Sequence, residues 1–469
     1  MSGKPRPFAI SADPPSPDAA VAGGEHGFER HPLGVPAVLT QPGALGFWIA
    51  IILTGVGTGM GAAALTRLLW LIQHAIWPGA GLTLAEAAAQ ASPWRHVWVL
   101  LAAGGLTGLG QLLLVRLSSG NGIETTEAIW FYAGRMPALR TVGSAVLSVV
   151  IVAMGASLGR EGAPKQVGAV VANVLSDRHR LSDEQRRLLV ACGAGAGMAA
   201  AYGVPLGGAL FALEVLRGKL ALRLVLPALL TSLIATAVAW IALPDAPTYV
   251  IPAYMSSVSI VTWALLAGPI AGVVAVAYVR AITWADRHKP SGWLRFVAPA
   301  VVLGLLGVVS IRFPLLLGNG KDIAQAAMVG QLAPLLLLAL LLLKPLATVL
   351  CLGSGAPGGL FTPSLALGAL LGGVLGDAWA LIWPGTPPGL FALVGAAAVL
   401  AATTQGPISA VVLIMELTGR DRSFVVPVLL AVVMATLVSR TMEPRSIYDA
   451  RLTDEQIAQR FRVRDADTA

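Results

Sequence analysis

The stretches GASLGREGA (residues 155–163) and GSGAPGGLFTP (residues 353–363) interrupt two long apolar runs, with Gly155 and Gly355 lying 200 positions apart. Glycine at this density is a poor helix former. Unwound backbone at membrane depth persists only where it is buried in protein or lines a cavity. The two stretches therefore predict paired breaks in membrane helices, placed where a site for a ligand can form.

The composition predicts that the rest of the chain lies in a membrane. Of its 469 residues, 56% are hydrophobic and 12% are charged, and the mean hydropathy is +0.76. Apolar stretches recur from Ala44 to about Arg440, and each is long enough for the ~20 residues of helix that a bilayer core requires. The stretches lack the alternating pattern of barrel strands and contain many of the small residues that let membrane helices approach closely. We expect an all-α integral membrane protein.

Three regions follow from the hydropathy pattern. Residues 1–42 are polar and rich in proline, which predicts a flexible N-terminal tail. Residues 43–450 form the predicted transmembrane domain, and residues 451–469 a short polar C-terminal tail.

The net charge of +8 is concentrated in loops and in the C-terminal tail. Arginine and lysine cluster in residues 178–187, 287–295 and 445–464, and the positive-inside rule places these clusters in the cytoplasm. This predicts a multi-pass protein of the inner (plasma) membrane with both termini cytoplasmic. A nucleic-acid partner is not expected, because the sequence contains no soluble basic module.

The chain is internally doubled. Three landmarks recur in the same order at offsets of 198 to 202 residues: Gly120-Asn121-Gly122 as Gly318-Asn319-Gly320; Gly155, Gly159 and Gly168 as Gly355, Gly359 and Gly368; Pro205 and Glu214 as Pro407 and Glu416. Such a repeat predicts two halves, at about 43–245 and 246–450, related by a pseudo-two-fold axis, with substrate bound near the midplane between broken helices.

The broken helices suit an anion. A helix that starts inside the bilayer leaves its first N–H groups without partners, at the positive end of its dipole. Arg160 and Glu161 are adjacent charges within the apolar stretch 149–175. An ionisable residue at that depth is expensive and indicates function, although a structural ion pair is the alternative. Adjacent residues on a helix do not face each other, so we favour a functional role.

Four motifs now resemble those of a known family, the CLC chloride channels and transporters. GREG (159–162) resembles its G-[KR]-E-G-P signature, GLFTP (359–363) its G-x-F-x-P signature, and GNGI (120–123) its G-S-G-I-P signature. SIY (446–448) is similar to the segment that carries the pore tyrosine. The motifs occur in the family's order, and the resemblance runs from about residue 45 to 450.

The resemblance implies a homodimer with one pore per subunit, each subunit an inverted repeat of many tilted and partial helices. It implies that Glu161 is the gate, whose carboxylate competes with the anion and carries protons in exchangers. The implied anion-binding residues are Gly120, Asn121 and Gly122; Arg160 and Gly162 at the outer site; and the backbone N–H groups of Leu360 and Phe361 with the hydroxyl of Tyr448 at the centre. The family's intracellular CBS domains are expected to be absent.

Several positions depart from the family pattern. Asn121 replaces the pore serine, Glu124 a proline and Ala163 the signature proline. Val215 occupies the position of the inner proton-transfer glutamate, next to Glu214. The family's fluoride-transporting branch also departs at the inner glutamate and replaces the pore serine with methionine or asparagine. An asparagine amide offers two N–H donors where serine offers one hydroxyl, although Asn121 would also suit a helix N-cap.

These features predict proton-coupled fluoride export, a fluoride/proton antiport. A chloride/proton antiporter and a passive chloride channel of the same family remain alternatives. The expected partners are fluoride or chloride ions, protons and the lipid bilayer, and no cofactor is expected.

A remote alternative is an intramembrane serine hydrolase. Residues 155–159 formally match the G-x-S-x-G nucleophile motif, with Ser157 as nucleophile. Such an enzyme needs a general base within reach. Of the histidines, His74 lies in an apolar stretch, whereas His96 and the others are expected in polar tails or loops, so this alternative is disfavoured.

Overall fold

The computed structural model describes residues 44–79, 81–117, 124–420, 424–449 and 452–466. Within these ranges the regular structure is helical, and the β pairing consists of one isolated bridge between Gly159 and Gly359. The described residues from Gly46 onward form one compact unit. The predicted all-α class is confirmed.

The helices fall into two series along the chain. The first series is α1 (Ala44–Ile76), α2 (Leu84–Ala89), α3 (Pro93–Leu117), α4 (Thr125–Phe131), α5 (Ala138–Ala153), α6 (Gly162–Arg178), α7 (Asp183–Tyr202), α8 (Pro205–Phe211, continued by a π-helical turn, Ala212–Arg217) and α9 (Leu222–Trp240).

The second series is α10 (Val258–Arg287), α11 (Leu294–Arg312), α12 (Lys321–Val329), α13 (Pro334–Gly353), α14 (Phe361–Ala380), α15 (Pro388–Thr404), α16 (Pro407–Thr418) and α17 (Val425–Met442), with short 3₁₀ turns at Pro314–Leu316 and Ile447–Asp449. Helix α18 (Asp454–Ala466) follows.

Seven segments of the described chain are long and apolar enough to cross a membrane: α1, α3, α10, α11, α13, α14 and Val425–Asp449. Shorter apolar helices, among them α5, α15 and α16, stand between them. A helix much shorter than ~20 residues does not span the hydrocarbon core by itself. The chain is therefore a multi-pass membrane protein that mixes full spans with partial helices, as the sequence predicts.

Contacts between equivalent elements reveal the internal repeat, since α4 to α9 correspond in order to α12 to α17. The carboxylate of Glu214, at the end of α8, accepts hydrogen bonds from the first N–H groups of α16, at 2.6 and 3.1 Å. The carboxylate of Glu416, on α16, accepts them from the first N–H groups of α8, at 2.6 and 3.0 Å. Each half thus caps a helix of the other half in the same way.

Glycine also holds equivalent helix pairs together in the two halves. Gly168 of α6 lies against the backbone of Gly193 in α7, and Gly368 of α14 against the backbone of Gly395 in α15. In both pairs a Cβ on either glycine would overlap atoms of the facing backbone. Backbones at this distance pack tightly without bulky side chains, which is the usual way that membrane helices associate.

The chain turns sharply where α5 and α13 end. Gly155 has φ +116° and Gly355 has φ +98°, a backbone region that side chains disfavour. These equivalent turns begin the two interruptions that the sequence predicts at 155–168 and 353–368.

The described residues cover the predicted domains only in part. The N-terminal tail, residues 1–42, lies outside the described residues. The division of the membrane domain at about 245/246 stays a prediction. The region predicted as a polar C-terminal tail, 451–469, contains helix α18.

Substituting Gly168 with alanine is expected to destabilise the protein, because the new Cβ would overlap the backbone of Gly193. Overpacking of this kind costs roughly 1–3 kcal/mol. The matched control is Gly105→Ala in α3, where an added Cβ meets nothing within 4 Å and where alanine favours the helix. Thermal unfolding of the detergent-solubilised variants measures the difference. Equal melting temperatures for the two variants would show that the glycine contact is unimportant.

Candidate anion site

The two glycine-rich breaks meet and pair with each other. The N–H of Gly159 donates to the carbonyl oxygen of Gly359 at 2.7 Å, and the N–H of Gly359 donates to the carbonyl oxygen of Gly159 at 2.7 Å. Helix α6 begins three residues after Gly159 and α14 two residues after Gly359. The bridge therefore brings the starts of two equivalent helices together inside the protein.

Glu161 places its carboxylate on the start of α14. Its Oε1 accepts hydrogen bonds from the N–H groups of Phe361 at 2.6 Å and Thr362 at 3.2 Å. The side chain is buried, with 3% of the residue exposed. The first N–H groups of a helix have no partner within the helix and lie at the positive end of its dipole. They bind the charged carboxylate here as they would bind another anion.

Two hydroxyl groups hold the second carboxylate oxygen. Oε2 of Glu161 accepts from the hydroxyl of Thr362 at 3.2 Å and from that of Tyr202 at 3.3 Å. The Tyr202 and Thr362 hydroxyls are also within hydrogen-bond distance of each other, at 2.8 Å. The Glu161 carboxylate is thus surrounded by neutral donors, which satisfy a buried charge without a fixed cation.

The paired glycines make room for this arrangement. A Cβ on Gly159 would overlap the Glu161 carboxylate, and a Cβ on Gly359 would lie 2.5 Å from its Oε1. Any other residue at either position would push the carboxylate off the start of α14. The glycine signatures are therefore required by the close approach of the Glu161 side chain.

This geometry permits one anionic occupant at a time. The N–H groups of Phe361 and Thr362 point at a single place, which the carboxylate fills. If the carboxylate leaves, the same donors are available to a free monovalent anion. A tethered carboxylate and a free anion would then compete for one site, with protonation of the carboxylate shifting the balance.

Arg160, the neighbour of Glu161 in sequence, lines a cavity. The cavity has a volume of about 290 Å³, and Lys321 and His74 also line it. The guanidinium of Arg160 stacks over the ring of Tyr202, 4.8 Å from the ring centroid. Nearby on α2, hydrogen bonds from Thr83 hold the pKa of the Glu86 carboxyl below its usual value. The cationic groups Arg160 and Lys321 favour anions in this cavity, and the carboxyl of Asp322, which also lines it, opposes them.

Tyr448 lines a second, smaller cavity. Its volume is about 50 Å³, and Gly162 and Leu360, the neighbours of Glu161 and Phe361 in sequence, also line it. The hydroxyl of Tyr448 is buried and makes no hydrogen bond to the described residues. The ring of Tyr448 packs edge-on against Phe211, with the centroids 5.4 Å apart.

The structure thus divides the predicted site residues into three places. Phe361 contacts the Glu161 carboxylate directly, Arg160 lines the larger cavity, and Gly162, Leu360 and Tyr448 line the smaller one. Gly120, Asn121 and Gly122 lie outside the described residues.

Two residues that hold the carboxylate, Thr362 and Tyr202, are missing from the sequence prediction. Thr362 belongs to the GLFTP motif, and its place in the first turn of α14 was a usable signal because N–H groups there lack helical partners. Tyr202 ends α7 and carries no local signal. Only the packing of α7 against α6 brings its hydroxyl to the site.

The structure also supplies a basic group near Ser157 that the sequence analysis missed. The Lys344 ammonium donates to the Ser157 hydroxyl at 2.8 Å and to the carbonyl oxygens of Leu316 and Gly318 at 3.1 and 2.8 Å. Ser157 is 0% exposed and Lys344 1% exposed. A substrate cannot reach such a hydroxyl, and the contact holds the loops at 154–161 and 313–320 against α13.

The expectation that His96 lies in a polar loop was wrong. His96 is buried in α3, where its ring nitrogens lie 2.8 Å from the Ser310 hydroxyl and 2.9 Å from the Ala88 carbonyl oxygen. Satisfied partners on both nitrogens explain how a histidine is buried between apolar helices. Among the described residues, no three His, Cys, Asp or Glu side chains cluster as a metal site requires.

Comparison with known proteins agrees with this architecture. Residues 104–440 match the family described as voltage gated chloride channel. The chain belongs to this family. Its members are channels and transporters rather than classical enzymes.

Curated relatives within the family include both kinds of transport protein. The voltage-gated ClC-type chloride channel ClcB of Citrobacter koseri is 31% identical over 385 residues, which cover 78% of this chain and 89% of ClcB. The H(+)/Cl(-) exchange transporter ClcA of Vibrio parahaemolyticus is 31% identical over 309 residues, covering 64% of this chain and 66% of ClcA.

A solved structure shares the fold. The crystal structure of a slow cyanobacterial Cl⁻/H⁺ antiporter superimposes with a TM-score of 0.76 at 22% identity, covering 90% of this chain and 99% of that one. The CLC-like arrangement of partial helices that the sequence predicts is confirmed.

Halide binding to this family member is expected to tighten as the pH falls. Protonation removes the charge from the Glu161 carboxylate, which otherwise competes for the N–H groups of Phe361 and Thr362. With one proton involved, the affinity changes by at most about tenfold per pH unit. Calorimetric titration of the solubilised protein with chloride and with fluoride at several pH values measures the effect.

The Glu161→Gln variant is the control for this titration. It keeps the side-chain shape but has no titrating charge, so its halide affinity should not vary with pH. The same pH dependence in wild type and in Glu161→Gln would exclude competition by this carboxylate.

Proposed function

We propose that the protein exchanges a small halide for protons across the membrane and that Glu161 is both its gate and its proton carrier. The observation that carries the proposal is that the Glu161 carboxylate accepts hydrogen bonds from the N–H groups of Phe361 and Thr362. A titratable anion that fills the anion's own binding place couples the two ions directly.

The exchange cycle uses two positions of this one side chain. The ionised carboxylate occupies the start of α14 and excludes the halide. A proton neutralises the carboxylate, which weakens its charge-assisted hydrogen bonds and lets a halide take the N–H groups. The neutral side chain turns towards the cavity beside Arg160 and releases its proton there, and the carboxylate then displaces the halide. Because one place holds one anion, halide and proton move in opposite directions.

A passive halide channel is the second candidate. Val215, an apolar residue, stands where exchangers of the family carry the inner proton-transfer glutamate. The relatives do not separate the two, since ClcB is named as a channel and ClcA as an exchanger at the same 31% identity. Proton movement by the purified protein distinguishes the candidates.

Fluoride is the cargo that the sequence predicts, and chloride is the alternative that the names of the relatives favour. The fluoride argument depends on Asn121, whose amide would add a donor for a small and strongly hydrated ion. Its counterpart in the second half, Asn319, precedes the N-cap Gly320 of α12 and accepts a hydrogen bond from the N–H of Lys321 at 3.2 Å. Asn121 combines the cap role with ion binding in this proposal.

The proposal includes the protein's setting. The protein forms a homodimer with a separate pore in each subunit and lies in the inner membrane of a bacterium, with both termini in the cytoplasm. The support is the family resemblance and the arginine clusters at residues 178–187 and 445–464.

Glu161→Gln and Glu161→Ala are expected to abolish proton movement while halide flux or binding persists. Neither side chain can carry a proton between its two positions, whereas the backbone donors for the halide remain. Liposomes loaded with halide, with a halide electrode and a pH electrode outside, measure both fluxes at once. Continued proton pumping by either variant would exclude the role of Glu161, and halide leak with no proton movement by wild type would favour the channel.

Native protein is expected to release fluoride faster than chloride, and Asn121→Ser is expected to reduce that preference. A hydrogen bond to a charged group contributes about 1.5–3 kcal/mol, and about 1.4 kcal/mol corresponds to tenfold in selectivity. One lost donor should therefore change the preference by about an order of magnitude. Efflux of each halide from matched liposomes measures it. Equal release of both ions by native protein would exclude the fluoride assignment, whereas an unchanged preference in Asn121→Ser would exclude only the role of Asn121.

A further inference from the structure

Position 215 carries valine, so it cannot supply an inner acid for proton exchange through Glu161. The neighbouring acid, Glu214, uses its carboxylate to cap α16, at 2.6 and 3.1 Å from the N–H groups. The carbonyl oxygen of Val215 accepts a hydrogen bond from Arg460 of α18 at 3.3 Å. This corner of the molecule is thus held by caps and by an arginine.

Glu124 lies in a different and better place. It immediately precedes α4 and lines the small cavity of about 50 Å³ that Tyr448, Gly162 and Leu360 share. It also lines a third, separate cavity of about 310 Å³, here called the wide cavity, which does not include Arg160. Gln166 is the other residue common to both cavities. The Glu124 side chain therefore stands in the wall between a wide cavity and the small cavity next to the gate.

We propose that Glu124 is the second proton-transfer residue of this protein and replaces the acid missing at position 215. The inference rests on the proposed exchange of halide for protons. It assigns to that exchange a route on the Tyr448 side, from the wide cavity through Glu124 and the small cavity to Glu161.

The charges around Glu124 suit a group that binds and releases protons. The charged or titratable residues that line the two cavities with it are Lys165 of α6, Asp286 of α10, Tyr448, Arg140 of α5, Arg295 of α11 and Lys289 of the loop between α10 and α11. Cations predominate, and they favour the ionised carboxylate. Asp286 opposes them, but it forms an ion pair with Lys289. The two cavities that Glu124 lines therefore hold more cationic than acidic side chains.

Lys165 links this cation-rich surrounding to the tyrosine. It is 6% exposed, and its ammonium lies 4.4 Å from the centroid of the Tyr448 ring. Lysine over an aromatic face is held by a cation–π interaction. The small cavity thus brings together Glu124, Lys165 and Tyr448. Gly162, which follows Glu161 in sequence, lines the same cavity.

The transfer is balanced as a simple proton relay. A proton from water in the wide cavity binds the Glu124 carboxylate. Its O–H bond then breaks while a new O–H bond forms on Glu161, either through the Tyr448 hydroxyl, which accepts one proton and donates another, or through a water. A volume of about 50 Å³ is enough for a water with polar partners. Glu124 is left ionised and Glu161 neutral.

Glu124→Gln tests the proposal in liposomes that report halide and proton flux together. We expect halide flux to persist and the ratio of protons to halide to fall at least about tenfold, equivalent to ~1.4 kcal/mol. Glu124→Asp, which keeps a carboxyl, should restore much of the ratio. Glu127→Gln, one turn further along α4 and outside both cavity linings, is the matched control and should behave as wild type.

Each of the other outcomes overturns either the role of Glu124 or the proposed exchange. If wild type moves protons and Glu124→Gln keeps the same ratio, the role of Glu124 is wrong while the exchange stands. If wild type moves no protons, the exchange itself fails, and the Glu124 route with it. If Glu124→Gln and Glu124→Asp both lose halide flux while Glu127→Gln does not, Glu124 supports the pore rather than proton transfer, which again overturns the inference.

Discussion

The hydrogen bonds between the Glu161 carboxylate and the first N–H groups of α14 are the interaction on which the rest of the structure depends. A buried carboxylate is costly unless several donors satisfy it, and helix starts provide such donors without a countercharge. Everything around the site serves to bring a side chain from one half of the chain to a helix start in the other. The backbone bridge between Gly159 and Gly359 sets that meeting, at 2.7 Å in both directions.

A site built from neutral donors suits an ion that must leave again. A lysine or arginine in direct contact would hold a halide strongly in a medium of low dielectric constant. Here the cations stand back: Arg160 stacks on Tyr202 and lines the larger cavity, and Lys165 lies over Tyr448. In the proposed function they would attract anions to either side of the site from those places, while a bound ion would meet N–H and hydroxyl groups and could leave again.

The doubled architecture explains how partial helices remain stable within a membrane. Each half leaves helix starts that the other half satisfies, as Glu214 and Glu416 show in their reciprocal caps on α16 and α8. A buried lysine also satisfies unwound backbone, since Lys344 donates to the carbonyl oxygens of Leu316 and Gly318 as well as to Ser157. Unwound backbone therefore survives because other parts of the protein replace the hydrogen bonds that a continuous helix would supply.

The sequence by itself determined the membrane class, the internal repeat, the family and the lone acid Glu161, because these are carried by composition, by colinear motifs and by the rarity of charge in apolar runs. Thr362, Tyr202 and the Lys344 contact with Ser157 depended on the tertiary structure. Their partners lie 41 to 201 positions away in sequence, and no local pattern encodes which side chains two packed helices bring together. The same holds for Glu124. In the sequence it is notable only because it replaces a proline of the family pattern, and it becomes a candidate acid because it lines two cavities.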